Sequence, residues 1–101
     1  MRVLVTGDRG YINSYKLYGE PNRIDKEVAR IMALIHSGAP GAEAIASSWA
    51  HNRRGVEEII SPHDDLLELI PDLVVAFRGG NETADMVQRA KNAGVKVVEV
   101  R

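Results

Sequence analysis

Leu73-Val74-Val75-Ala76-Phe77-Arg78-Gly79-Gly80-Asn81-Glu82-Thr83-Ala84-Asp85-Met86-Val87 decides the reading of this chain. Its first five residues are apolar on consecutive positions and too few for a helix, the pattern of a strand buried on both faces of a parallel sheet. After the glycine pair, Met86, Val87, Ala90 and Ala93 recur at helical spacing. A strand, a glycine turn and a helix in that order form half of a crossover unit.

The same alternation runs outward in both directions. Strands are expected at Val3–Thr6, Met32–His36, Val56–Ile60 and Lys96–Val100, besides Leu73–Phe77. Helical stripes are formed by Ile24, Val28 and Ile31, and by Ala42, Ile45, Ala46, Trp49 and Ala50, where core packing is the role expected of Trp49. A short helix is expected at Asp64–Ile70, capped by Asp64 or Asp65 and stopped by Pro71. Gly55 and Gly94 sit where left-handed helix caps belong. The order β-α-β-α-β-α-β-α-β predicts an α/β three-layer sandwich with a five-stranded parallel sheet, ordered 3-2-1-4-5. One long loop is expected, from Gly7 to Glu20, holding Tyr11, Tyr15 and Tyr18.

The 101 residues suffice for one domain, residues 1–101, with a core of its own. Thirteen basic and fourteen acidic side chains nearly cancel, so duplex DNA held by bulk charge is not an expected partner. There are no cysteines, which excludes disulfides, thiol catalysis and cysteine-ligated metals. No apolar run approaches the ~20 residues of a membrane span. A cytoplasmic protein with no membrane partner is expected.

With strand order 3-2-1-4-5 the connections reverse beside strand 1, and ligands favour the crevice beyond the strand ends there. Three glycine-containing segments converge on that edge: Gly7-Asp8-Arg9-Gly10-Tyr11, His36-Ser37-Gly38-Ala39-Pro40-Gly41-Ala42-Glu43 and Arg78-Gly79-Gly80-Asn81-Glu82-Thr83. Helix starts offer unpaired N–H groups to an anion, glycine permits close backbone approach, and Arg9 and Arg78 add forked donors. The plainer reading is that the glycines only permit tight turns. Tyr11 and its neighbours can stack on a base or pack the loop to the body. His36 can act as a base or be hydrogen-bonded to the loop backbone.

These three segments resemble the SLOG superfamily, and within it the small YspA-like (DUF2493) group. That group carries a G-x-R near the start, H-G-x-A-x-G-A-D in the middle and F-P-G-G-x-G-T-A-D-M towards the end. The resemblance implies a Rossmann-like fold and a nucleotide or nucleotide-derived ligand. It carries ligand contacts over to Gly7, Arg9, Gly38, Gly41, Gly79, Gly80 and Thr83. Glu43 stands where the group has aspartate.

Three departures follow. The group's G-P-x-R-N segment between strands 3 and 4 is absent, which implies a missing wall of the pocket. Glu82 replaces a glycine and brings a carboxylate to the helix start; Arg78 replaces a proline and adds charge. More distantly, LOG-type phosphoribohydrolases carry a catalytic glutamate at the position of Met86, and a thioether cannot transfer a proton. The expectation is therefore binding of a nucleotide-like small molecule, as a sensor or sequestering module without evident catalysis, with no cofactor and no metal. The alternatives are a nucleotide-processing enzyme using His36, Glu43 or Glu82, or an interaction-only or single-strand nucleic acid accessory protein. A homo-oligomer is compatible with all three. His51 and the run Asn52-Arg53-Arg54 read as solvated, and His63-Asp64-Asp65 resembles a metal cluster only superficially.

Overall fold

The computed structural model describes residues 1–100. Five strands are present: β1 (Arg2–Thr6), β2 (Ala33–His36), β3 (Glu57–Ile60), β4 (Leu73–Phe77) and β5 (Lys96–Val100). Three α-helices, α1 (Ser14–Glu27), α2 (Ala42–His51) and α3 (Asn81–Asn92), and a 3-10 turn at His63–Leu69 connect them. All pairings are parallel, in the order β3-β2-β1-β4-β5. The α/β fold, the five strands and their order are as the sequence predicts.

Alternation along the strands builds two cores. Val3, Val5, Leu34, Val75 and Phe77 face α1 and α2, where Leu17, Ile24, Ala46 and Trp49 meet them. Leu4, Ile35 and Val74 face the other layer and meet Leu66, Met86 and Ala90. The apolar runs of β1 and β4 are continuous because both of their faces are covered, while the edge strands β3 and β5 are only part-buried. Gly55 and Gly94 both adopt positive φ, as their places after helices require.

Two elements differ from expectation. The loop after β1 is short, because α1 begins at Ser14. Asn13 caps it, its side chain accepting from the Lys16 N–H at 3.0 Å. The buried stripe of α1 is Leu17, Pro21 and Ile24; the helix ends at Glu27, and Val28 is exposed. Pro21 masked this helix in the sequence, since proline usually marks a helix boundary. Here its ring is buried and the helix runs through it.

The other difference is the link from β3 to β4, which is a 3-10 turn entered at Pro62. Neither Asp64 nor Asp65 caps it: no side chain bonds to its start, and Asp64 instead reaches Arg89 at 3.3 Å. The turn ends at Ile70, held at φ 54° ahead of Pro71.

Candidate functional site

The C-terminal ends of β1 and β4 lie side by side at the centre of the sheet, and their chains leave to opposite layers. Asp8 ties the surrounding loops together through its backbone. Its N–H donates to the Arg78 carbonyl at 3.0 Å, and its carbonyl accepts from the N–H groups of Tyr11 and Ala42, both at 3.1 Å.

That last bond has a consequence for the site. The first N–H of α2 is given to the protein's own chain. A Cβ at Gly41 would stand 2.2 Å from the Asp8 carbonyl oxygen and 2.4 Å from that of Arg9. A Cβ at Gly79 would stand 2.3 Å from Thr83 Oγ1 and 2.8 Å from Asp8 N, and one at Gly7 2.5 Å from Ala42 Cβ. These three motif glycines sit where backbone meets neighbouring chain.

The start of α3 is different. Gly80 has open space where a Cβ would be. The first helical bond of α3 runs from Ala84 N–H to the Gly80 carbonyl, so the N–H groups of Asn81, Glu82 and Thr83 have no partner one turn back. No side chain caps them. A cavity of about 250 Å³ opens here between Gly7, Asp8, Arg9 and the segment Gly80 to Thr83. A second, of about 520 Å³, adjoins it, with Tyr11, Ile12 and Arg78 in its wall. A larger hollow of about 710 Å³ lies towards β5, walled by Val87, Glu99 and Val100 as well as Arg78 and Thr83. No residue of the loop after β1 lines it, and its one carboxylate is Glu99, where the two smaller cavities hold those of Asp8 and Glu82.

Arg9 and Arg78 are exposed at this crevice, and among the described residues neither forms an ion pair. Tyr11 packs its ring on Phe77, with centroids 5.6 Å apart. Its hydroxyl is buried with no hydrogen-bond partner among the described residues, and burial raises the phenol above its ordinary pKa. Tyr18 turns to α2 and bonds Ser48 at 2.8 Å, while Tyr15 stays exposed. Thr83 is buried against Gly79 and Glu82 is exposed at the cavity rim. Met86 lies in the apolar core beneath α3, away from the crevice.

The β2–α2 segment does not join this constellation. None of His36, Gly38, Gly41 and Glu43 lines the two cavities at the start of α3. His36 is 2% exposed and both of its ring nitrogens are engaged. Nδ1 accepts from the Gly38 N–H at 3.0 Å, which leaves Nε2 to donate to Glu58 at 2.8 Å. Glu43 turns inward and accepts from the Ser37 N–H at 2.5 Å and from its hydroxyl at 2.7 Å. Both residues brace the loop that carries them.

Glu58 is a residue the sequence did not single out. It accepts from His36 and, on its other oxygen, bonds His51 Nε2 at 2.8 Å. Burial pushes its carboxyl up, but hydrogen bonds from Ser47, His36 and His51 outweigh burial and hold its pKa at about 2. His51 is thus exposed yet anchored, not merely solvated. Arg53 departs further from expectation, because it pairs with Asp25 at 2.6 Å and lies 5.0 Å over the Trp49 ring. His63 pairs with Asp85 at 2.9 Å. No helix among the described residues is long and apolar enough to cross a membrane.

Comparison with known families bears on residues 1–63, which match the family described as YAcAr, the YspA, cpYpsA-related SLOG family. The matched part runs from β1 to the first residue of the 3-10 turn and includes the loops after β1 and β2; the Phe77–Val87 motif lies beyond it. Comparison with curated protein sequences gives no match. A match over more than half of the chain, on the sheet order expected of that fold, makes this protein a member of the YspA, cpYpsA-related SLOG family.

Proposed function

We propose that this protein binds a phosphorylated, nucleotide-like small molecule in the crevice beyond β1 and β4, with the phosphate at the start of α3. One observation carries the reading. Of the three α-helix starts on this edge, that of α1 is capped by Asn13 and that of α2 has its first N–H taken by the Asp8 carbonyl, whereas that of α3 is open and flanked by two arginines without acidic partners among the described residues. Three free N–H groups, the positive end of the helix and two guanidinium groups suit an anion with several oxygens. Tyr11, in the wall of the adjoining cavity, suits the sugar or base of such a ligand.

The role is binding rather than turnover. Of the candidates for proton transfer, His36 and Glu43 are buried and engaged, the position of the LOG-type glutamate is Met86 in the core, and Glu82 alone stays exposed at the cavity rim. A cytoplasmic sensor or sequestering module fits this. A thermal-shift screen of nucleoside monophosphates against oligonucleotides tests it. A ligand at ~100 times its dissociation constant stabilises by about 2.7 kcal/mol, and the Arg9→Ala/Arg78→Ala protein should lose that shift. Retention of the full shift by the double variant would place the phosphate elsewhere.

A second reading, docking of another macromolecule at this edge, is favoured by Ile12 and Tyr15, 88% and 92% exposed beside the crevice. In that case mononucleotides give no shift with either protein.

A further inference from the structure

At the opposite end of the sheet, where all five parallel strands begin, the α1–β2 and α2–β3 connections enclose a cavity of about 350 Å³. Arg30, Arg53 and Arg54 line it, with Asp25 as the one carboxylate. Asp25 is fully used. One of its oxygens accepts from Arg53 Nη2 at 2.6 Å, and the other from the Ile31 N–H at 2.7 Å. Arg53 also donates to Asn22 Oδ1 at 2.7 Å and rests on Trp49, so its guanidinium is fixed before any ligand arrives.

Arg30 and Arg54 are exposed, and among the described residues neither forms an ion pair. Arg30 leans towards the neighbour of Arg54, its Nη2 only 3.1 Å from where a Cβ on Gly55 would be. The nearby acids face elsewhere. Glu57 alternates with Glu58 and so shares its face with Ile59, which packs in the opposite layer. Glu58 is held by Ser47, His36 and His51, and Glu27 reaches Arg23 at 3.7 Å. The Met1 nitrogen donates to the Arg30 carbonyl at 2.6 Å.

Asp25 neutralises Arg53, so among the described residues the guanidinium groups of Arg30 and Arg54 stand at this hollow without a counter-charge, which favours an anion that joins them. Their flat forks match pairs of oxygens on a tetrahedral oxyanion better than they match water. We infer that this cavity is a second anion site, distinct from the crevice, which takes a phosphate group carried by a small ester or by pyrophosphate.

Inorganic pyrophosphate is the probe. In the Arg9→Ala/Arg78→Ala protein, which removes the crevice cations, equilibrium dialysis should still find one bound pyrophosphate per chain. Binding should change the fluorescence of Trp49, the only tryptophan, because Arg53 lies over its ring. Adding Arg30→Ala and Arg54→Ala should weaken binding at least about tenfold and remove the fluorescence change. Both residues are exposed, so an unaltered melting curve is expected alongside. Absence of saturable binding up to about 10 mM, a range that would include even a weak site, overturns the inference. So does equal binding with and without Arg30 and Arg54.

Discussion

The Asp8 carbonyl and the Ala42 N–H are joined at 3.1 Å, and this bond closes one helix start while leaving another open. It brings the loop after β1 down onto α2, so that the Asp8 and Arg9 carbonyls press on Gly41. The crevice is thereby moved off α2 and onto α3.

Gly41 and Gly80 should therefore respond very differently to alanine. At Gly41, φ is +77° and a Cβ would overlap backbone oxygens that cannot move aside. Gly41→Ala should cost about 3 kcal/mol or more, combining left-handed strain with steric displacement of the loop. At Gly80, φ is −92° and the space is empty, so alanine should cost only a few tenths of a kcal/mol as a poorer cap. Urea unfolding of both variants checks this. Equal costs would mean that the Asp8–Ala42 contact does not fix the loop.

The parts legible in sequence were those set by local pattern. β4 and β5 begin and end where the apolar runs of Leu73–Phe77 and Lys96–Val100 do, and the sheet order followed from strand–helix alternation. Helix α1 was half hidden because Pro21 and Gly19 read as loop chemistry, while its true stripe includes the proline itself. The bond between His36 and Glu58 was not legible. It depends on β2–β3 register, in which Leu34 opposes Glu58 and brings His36 diagonally next to it. The motif glycines were recognised but their partners were not, since sequence shows a close approach without showing what approaches.

Acid should destabilise the protein through Glu58. Its folded pKa of about 2 lies below the ordinary 4.5, so the folded state favours the ionised carboxylate. The stabilisation is complete above about pH 4.5 and is lost as pH falls from there towards 2, a loss of about 3 kcal/mol for this group. Glu58→Gln should be less stable at pH 7 and nearly level with the parent at pH 2. Asp85, lowered by the His63 hydrogen bond and by Arg89, acts in the same direction, so the variant keeps some acid sensitivity. Parallel stability curves for parent and variant across this window would show that Glu58 carries no such load.

Ile70 is a β-branched residue in the left-handed region, with its side chain exposed. It is 77% exposed and so receives little packing in return for the strain. Ile70→Asn should raise stability by about 1 kcal/mol, since asparagine tolerates this conformation. Thermal melts should show a rise of several degrees for a domain of this size. A fall would mean that the turn before Pro71 depends on the isoleucine side chain.

Glu82 tests the proposed phosphate position most sharply. It is in the first turn of α3, where a carboxylate favours the free helix by meeting the positive dipole end. It also lines the 250 Å³ cavity with Arg9, where a bound phosphate would meet it as a like charge. The two effects have opposite signs in the free and bound protein. Glu82→Gln should therefore lower the melting temperature slightly without ligand, by the fraction of a kcal/mol that an exposed dipole contact is worth. It should at the same time bind a nucleoside monophosphate several-fold more tightly, up to about tenfold for a change of ~1.4 kcal/mol. Added salt should shrink the gain, because it screens the repulsion that the substitution removes. Calorimetric titration at low and high ionic strength measures both. If affinity falls instead, and falls most for ligands with a 2′-hydroxyl, Glu82 is accepting a ribose hydrogen bond and the phosphate sits further along the crevice, towards Arg78.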